Sequence, residues 1–284
     1  MTETELYVRV VLAVAPLLVC LAWRTEGVLV AWRGRLALAS GLLFGASALL
    51  PALAVWGAVP WLTVSCVGAA QALRSNLLSP PKDLAQGAHL AARLYLPVGG
   101  MWAVADQAKL SPLGFSGIIV LLTAVHFHYA GFALPWLTSR WLSALPGSRL
   151  DRICALGVIA GVPLVAVGIT SSQLSLPVGI ETASATILAL SAFGVARGYL
   201  AWSTQVVGPS RPLFILAGAA LAGGMSLALL YGWRTQFPIS WVTIPGMVAL
   251  HGTLNSWGFC LPGILGNFFL GGASPFKENR ASNL

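Results

Sequence analysis

The sequence predicts an all-α fold, a polytopic transmembrane bundle of about nine helices, on three observations. Apolar residues make up 57% of the chain and charged residues only 8%, with a mean hydropathy of +0.82, whereas soluble domains carry about 25% charge. The apolar residues fall into segments close to the roughly 20 residues an α-helix needs to cross a bilayer. The basic residues gather on alternate connections between those segments, as the positive-inside rule demands of a threaded chain.

The candidate spans, in order, are 7–23, 34–54, 56–73, 87–107, 113–138, 152–171, 178–197, 211–233 and 239–263. The first is read as a retained span, because the preceding residues hold Glu3 and Glu5 and no base, the reverse of a secretory signal. The second and third share one apolar stretch broken around Pro51. The fifth and ninth end alike, in Gly131-Phe132-Ala133-Leu134-Pro135 and Gly258-Phe259-Cys260-Leu261-Pro262. One reading of that match is a parallel duplication, 34–138 and 152–263, after one extra helix; the other is coincidence in a chain rich in Gly and Leu. Residues 1–273 thus form a single membrane domain, and the polar tail 274–284 is expected to be mobile.

With the N-terminus outside, Arg24, Arg33, Arg35, Arg74, Lys82, Arg140, Arg149, Arg152, Arg197, Arg211, Lys277 and Arg280 fall inside and only Lys109 and Arg234 outside. Nine spans in a bacterial cytoplasmic membrane, N-out and C-in, follow from that asymmetry. The net charge of +8 is then explained by contact with anionic headgroups. The bases lie scattered on short connections and form no stripe that would bind nucleic acid. Cys20, Cys66, Cys154 and Cys260 are too far apart for a metal pair and read as small apolar residues. Trp56, Trp61, Trp136, Trp141, Trp202, Trp233 and Trp241 lie near span ends and read as an aromatic belt. Arg93 and His89 are expected to snorkel to the inner headgroups.

Function points to the histidines. His126, His128 and His251 lie within apolar spans, where a titratable ring marks a functional site unless it is paired or lines a wet cavity. At 1.5 Å per residue His126 lies about 20 Å into its span and His251 about 18 Å, so they share a depth. Asn255, four residues after His251, shares its face, and Tyr129 shares the face of His126. His126 and His128 point about 200° apart on a regular helix. Three imidazoles would suit zinc, copper, iron or haem, but that angle requires a distorted helix to gather them, so no metal or cofactor is expected. Asp106 and Glu181 sit near the outer edge, either lining a mouth or solvated at the interface, and solvation is the favoured reading. No nucleotide-binding loop, zinc-protease helix or serine-hydrolase elbow is present.

The pair His126-Phe127-His128-Tyr129-Ala130-Gly131-Phe132 and His251-Gly252-x-x-Asn255-x-x-Gly258-Phe259 resembles the YndJ-like family of bacterial multi-pass membrane proteins. The resemblance implies a membrane fold over essentially the whole apolar region and marks those residues as signature positions; it implies no reaction. Two functions from different classes follow. The first is an integral-membrane enzyme acting on a lipophilic small molecule or lipid by isomerisation, cyclisation or epoxide opening. His126, His128 and His251 would be its acid–base groups, with Asn255 and Tyr129 orienting. Gly131, Phe132, Trp257, Gly258 and Phe259 would line the pocket, with Asp106 and Glu181 at its mouth. The second is a secondary transporter or permease with a histidine-lined midplane site, against which stands the lack of Gly/Pro-interrupted half-helices.

Overall fold

The computed structural model describes residues 1–27, 32–50, 52–145, 147–177 and 179–271. Among these residues the chain forms nine helical rods and no strand: α1 (Glu3–Thr25), α2 (Trp32–Leu49), α3 (Ala54–Leu78), α4 (Leu84–Gln107), α5 (Gly117–Ala144), α6 (Arg149–Gln173), α7 (Gly179–Ser203), α8 (Ser210–Gly232) and α9 (244–269). They coincide with the nine expected segments. Five of them, α1, α5, α6, α7 and α8, are long and apolar enough to cross a membrane. Their outward faces carry Leu156, Val167, Leu190 and Leu216, all more than half exposed, which suits hydrocarbon rather than water. Pro51 and the tail 274–284 lie outside the described residues.

Helix starts are set locally. The Thr2 hydroxyl accepts from the Glu5 N–H, the Asp83 carboxylate accepts from Gln86, and Ser148 with Asp151 forms a reciprocal capping box at α6. Consecutive rods pack side by side along the chain, and α1 lies against α2, α5 and α9. Small residues permit the closest approach. A Cβ at Gly157 would fall 1.9 Å from the Ser191 hydroxyl, so α6 and α7 meet at a distance only glycine allows. Pro163 lacks the N–H that would bond the Ile159 carbonyl. The Tyr95 hydroxyl of α4 donates to that carbonyl instead (2.7 Å), tying α4 to α6.

Two expectations are corrected here. The aromatic belt holds for the exposed Trp56, Trp233 and Trp241, whereas Trp61, Trp136, Trp141 and Trp202 are buried. Proximity to a span end does not decide exposure; the direction of the ring does, and these rings point into the bundle. Trp202 stacks on Phe214 with ring centres 4.4 Å apart. Nor do Arg93 and His89 snorkel: both turn inward to Glu26, at 2.8 Å each, because a buried carboxylate attracts them more strongly than headgroups do.

Candidate functional site

Both helices that carry the histidine motifs widen into π-helix. In α5 the π segment is Phe127–Ala133, and in α9 it is Val248–Gly252 and Leu254–Cys260. Each widening ends directly before a Leu-Pro pair, 134–135 and 261–262, where proline lacks an N–H and crowds the preceding turn. The rods remain continuous, so no half-helices form. The 127-residue offset of the sequence match places Phe127–Ala133 on Leu254–Cys260. The same offset relates Arg140 and Asn267, which are hydrogen-bonded at 3.2 Å across the α5–α9 contact.

The two histidines of α5 part company, as their 200° separation requires. His128 is buried among α2, α3 and α4. Its Nδ1 lies 2.8 Å from the Ala124 carbonyl and its Nε2 2.9 Å from the Trp61 indole N–H. An indole only donates and a carbonyl only accepts, so the proton sits on Nδ1 and both nitrogens are used. Gly99 makes room for the ring, since a Cβ there would fall 2.7 Å from Nδ1. His128 is therefore held as a core residue.

His126 points away from His128, its ring edge-on to Phe127 (6.0 Å), and His251 is close enough to act on it electrostatically, with no hydrogen bond between the two among the described residues. Nδ1 of His251 lies 2.8 Å from the Gly224 carbonyl of α8, so it carries the proton and Nε2 keeps a lone pair. Asn255 donates its amide to the backbone carbonyl of His251 (2.8 Å). Its nitrogen is also 3.2 Å from Nδ1, but an Nδ1 that donates to Gly224 has no lone pair to accept it. Nε2 of His251 has no hydrogen-bond partner among the described residues. Nε2 of His126 is buried and likewise unpartnered, a state that costs about 1–3 kcal/mol.

The other expected site residues divide between packing and anchoring. The Tyr129 hydroxyl donates to the Val11 carbonyl of α1 (2.9 Å), so it does not reach His126. Phe132 and Phe259 are buried. Gly131 faces Tyr95 and Phe127, and Gly258 faces Ala220, where a Cβ would fall 2.5 Å away. The Trp257 indole donates to the Tyr7 hydroxyl (3.1 Å), which lies 2.6 Å from the Thr253 hydroxyl. Thr253 donates to Ala249 (2.6 Å), so Tyr7 donates to Thr253, and α1 is fastened to α9 one turn from His251. Solvation of Asp106 and Glu181 is corrected: both are buried. Asp106 pairs with Arg9 at 2.9 Å and Glu181 with Arg234 at 2.7 Å. Asp106 does line a cleft; Glu181 is not among the residues around it.

Sequence reasoning missed one cluster. Glu26, just beyond α1, accepts from the Trp136 indole (2.6 Å), Arg93 (2.8 Å) and His89 (2.8 Å). Burial by itself would raise its pKa, but the hydrogen bond and charge of His89, the charge of Arg93 and the Trp136 bond outweigh it and hold the carboxyl at about 2. The available signal was the spacing of His89 and Arg93, four residues apart on one face of α4. Among the described residues no three His, Cys, Asp or Glu side chains gather as a metal site would require.

A family model for YndJ-like proteins matches residues 7–259. The chain belongs to the YndJ-like family. The match takes in the π segments Phe127–Ala133 and Val248–Gly252 and all of Leu254–Cys260 but its last residue. The chain is similar to a Bacillus subtilis (strain 168) protein described as an uncharacterized membrane protein YndJ, 30% identical over 187 residues. The alignment covers 66% of this chain and 33% of that relative, so the chain spans about a third of the relative's length. No solved structure matches. Family membership and the apolar helices together establish a multi-pass membrane protein.

Proposed function

We propose that this protein is an integral-membrane enzyme acting on a lipophilic small molecule by acid–base chemistry at His126 and His251. The observation that carries the reading is the buried, unpartnered Nε2 of His126 within range of His251. Buried polar atoms are mostly satisfied; beside Trp23 Nε1, Arg93 Nε and Gln107 Oε1, the open His126 nitrogen is the one among the described residues that belongs to an imidazole, a group suited to taking and giving a proton. His251 supplies a neutral imidazole whose Nδ1 is fixed by Gly224 and whose Nε2 is free to accept a proton. His126 is the companion that returns one. A base and an acid on neighbouring helices suit isomerisation, in which a proton leaves one carbon and arrives at another without net redox change. His128 and Tyr129 belong to the scaffold, and Asn255 orients His251. The skew of basic residues supports an orientation with the start of α1 outside a bacterial cytoplasmic membrane and the end of α9 inside.

The test uses purified protein in lipid nanodiscs, incubated in heavy water with a total lipid extract and read by mass spectrometry. Wild type is expected to install solvent deuterium in one lipid species, and His126→Phe and His251→Phe to abolish it. Equal labelling by wild type and both variants would remove the acid–base reading. A histidine-dependent, pH-coupled solute flux in proteoliposomes would move the pair from catalysis to proton carriage, the permease alternative.

A further inference from the structure

A cleft of about 620 Å³ opens at the end of the bundle where α1 begins, bounded by α1, the α4–α5 connection and the start of α9. Four charges surround it: Glu5 and Arg9 of α1, Asp106 of α4, and Lys109. These side chains sum to zero, with the N-terminal ammonium and Lys109 both near enough to act on Glu5, and they are unequally committed. Asp106 is buried and gives both oxygens to Arg9, at 2.9 and 3.4 Å. Glu5 offers Arg9 only its Oε1, leaving Oε2 open. Lys109 is exposed and has no ion pair among the described residues. It is held in the left-handed region (φ 57°), which fixes where its side chain leaves the connection.

The rest of the lining sets the hydroxyls of Thr2, Thr4 and Ser111 beside the apolar Leu110, Ile118, Ile244 and Pro245. A second cavity of about 290 Å³ shares Thr4 and Pro245 with the first and is otherwise lined by Glu3 and Tyr7 of α1 and Val248 and Ala249 of α9. Tyr7, which lines it, is hydrogen-bonded to Thr253, two residues along α9 from His251. The two cavities together offer charged groups and, along Ile118, Ile244, Pro245, Val248 and Ala249, apolar surface, the combination an amphiphile needs.

We infer that this cleft binds the head group of a zwitterionic amphiphile, with an ammonium on Glu5, a phosphate on Lys109 and an acyl chain along Pro245 and Val248. A purely anionic head would meet Lys109 but face Glu5 and Asp106, and a purely cationic one would face Arg9 and Lys109; only a head carrying both signs satisfies each uncommitted group. The second cavity brings the chain beside Tyr7, so the same molecule is the lipophilic substrate if the acid–base reading of His126 and His251 holds; binding in the cleft stands without that reading.

Native mass spectrometry of the detergent-purified protein, offered an equimolar mixture of phosphatidylethanolamine and phosphatidylglycerol of one chain composition, tests the proposal. Wild type is expected to retain the ethanolamine lipid in preference. Lys109→Glu, an exposed connection residue whose exchange spares the core, should weaken that adduct about tenfold, and Lys109→Arg should restore it. Glu5→Gln should narrow the preference between the two lipids. Equal retention of both lipids, preference for phosphatidylglycerol, or an unchanged adduct in Lys109→Glu would each overturn it. His126→Phe should leave lipid retention unaltered, so loss of deuterium labelling and loss of lipid retention fail separately.

Discussion

In α5 the ring of His128 has a carbonyl on one nitrogen and an indole on the other, and the turn that follows is fastened to Glu26 through Trp136. In α9 the equivalent wide turn holds Asn255 where α5 holds His128, and the nearby His251 uses one nitrogen on Gly224 and leaves the other open. The local distortion is the same, a π segment ahead of Leu-Pro, but its surroundings differ. The α5 segment lies against α4 and α1, with His128 reaching the rings of Phe44 and Trp61, while the α9 segments lie mainly against α8. A wide turn by itself therefore makes no site. It becomes one where the neighbouring helices fail to satisfy the side chains it displays.

Removing the anchor on the α5 side should have the largest effect. Glu26→Gln leaves Arg93 buried without its carboxylate, and a loss of about 3–5 kcal/mol is expected in detergent melts at neutral pH. Acid should mimic it. The Glu26 pKa is lowered to about 2 from an ordinary carboxylate value of 4.5, so its contribution is complete above that ordinary value and fades as pH falls toward about 2. Wild type should lose Tm over that window while Glu26→Gln does not; parallel curves would show that the carboxylate is not the anchor. Next comes His128→Ala, which strips the Trp61 indole of its acceptor and opens a void beside Phe44, for an expected loss of about 3 kcal/mol.

Smaller effects belong to α9. Gly258→Ala presses a methyl against Ala220 and should cost about 1–3 kcal/mol. The smallest change in stability, and the one that most sharpens the contrast, is His126→Phe. Replacing an unsatisfied buried nitrogen with carbon should leave Tm level or slightly raised, while His128→Phe lowers it. If both phenylalanine variants destabilise equally, His126 is a core residue like His128 and the site proposed around it is lost.

Much of the site's logic could be read from one dimension. The depth of His126 and His251, the 200° divergence of His126 from His128, and the shared face of His251 and Asn255 all follow from helical rise and turn. What each ring touches could not be read that way. Trp61 lies 67 residues before His128, and Glu26 lies 110 before Trp136. Apolar neighbours of those residues look like any other span, so nothing local distinguishes a tryptophan aimed at a histidine from one anchored at the membrane surface.

The sequence by itself determined the number, order and limits of the helices, because a bilayer imposes a minimum apolar length and tolerates few charges. It also determined where a helix would be disturbed, since proline acts on its own preceding turn. Only the tertiary structure decided which polar groups are spent on the fold and which are left over. Hydrogen bonds in a bundle close between residues tens of positions apart, so satisfaction is a property of the packing and not of the string. His128 and His126 stand two residues apart in the chain; one is fully bonded and one is not, because different helices stand in front of them.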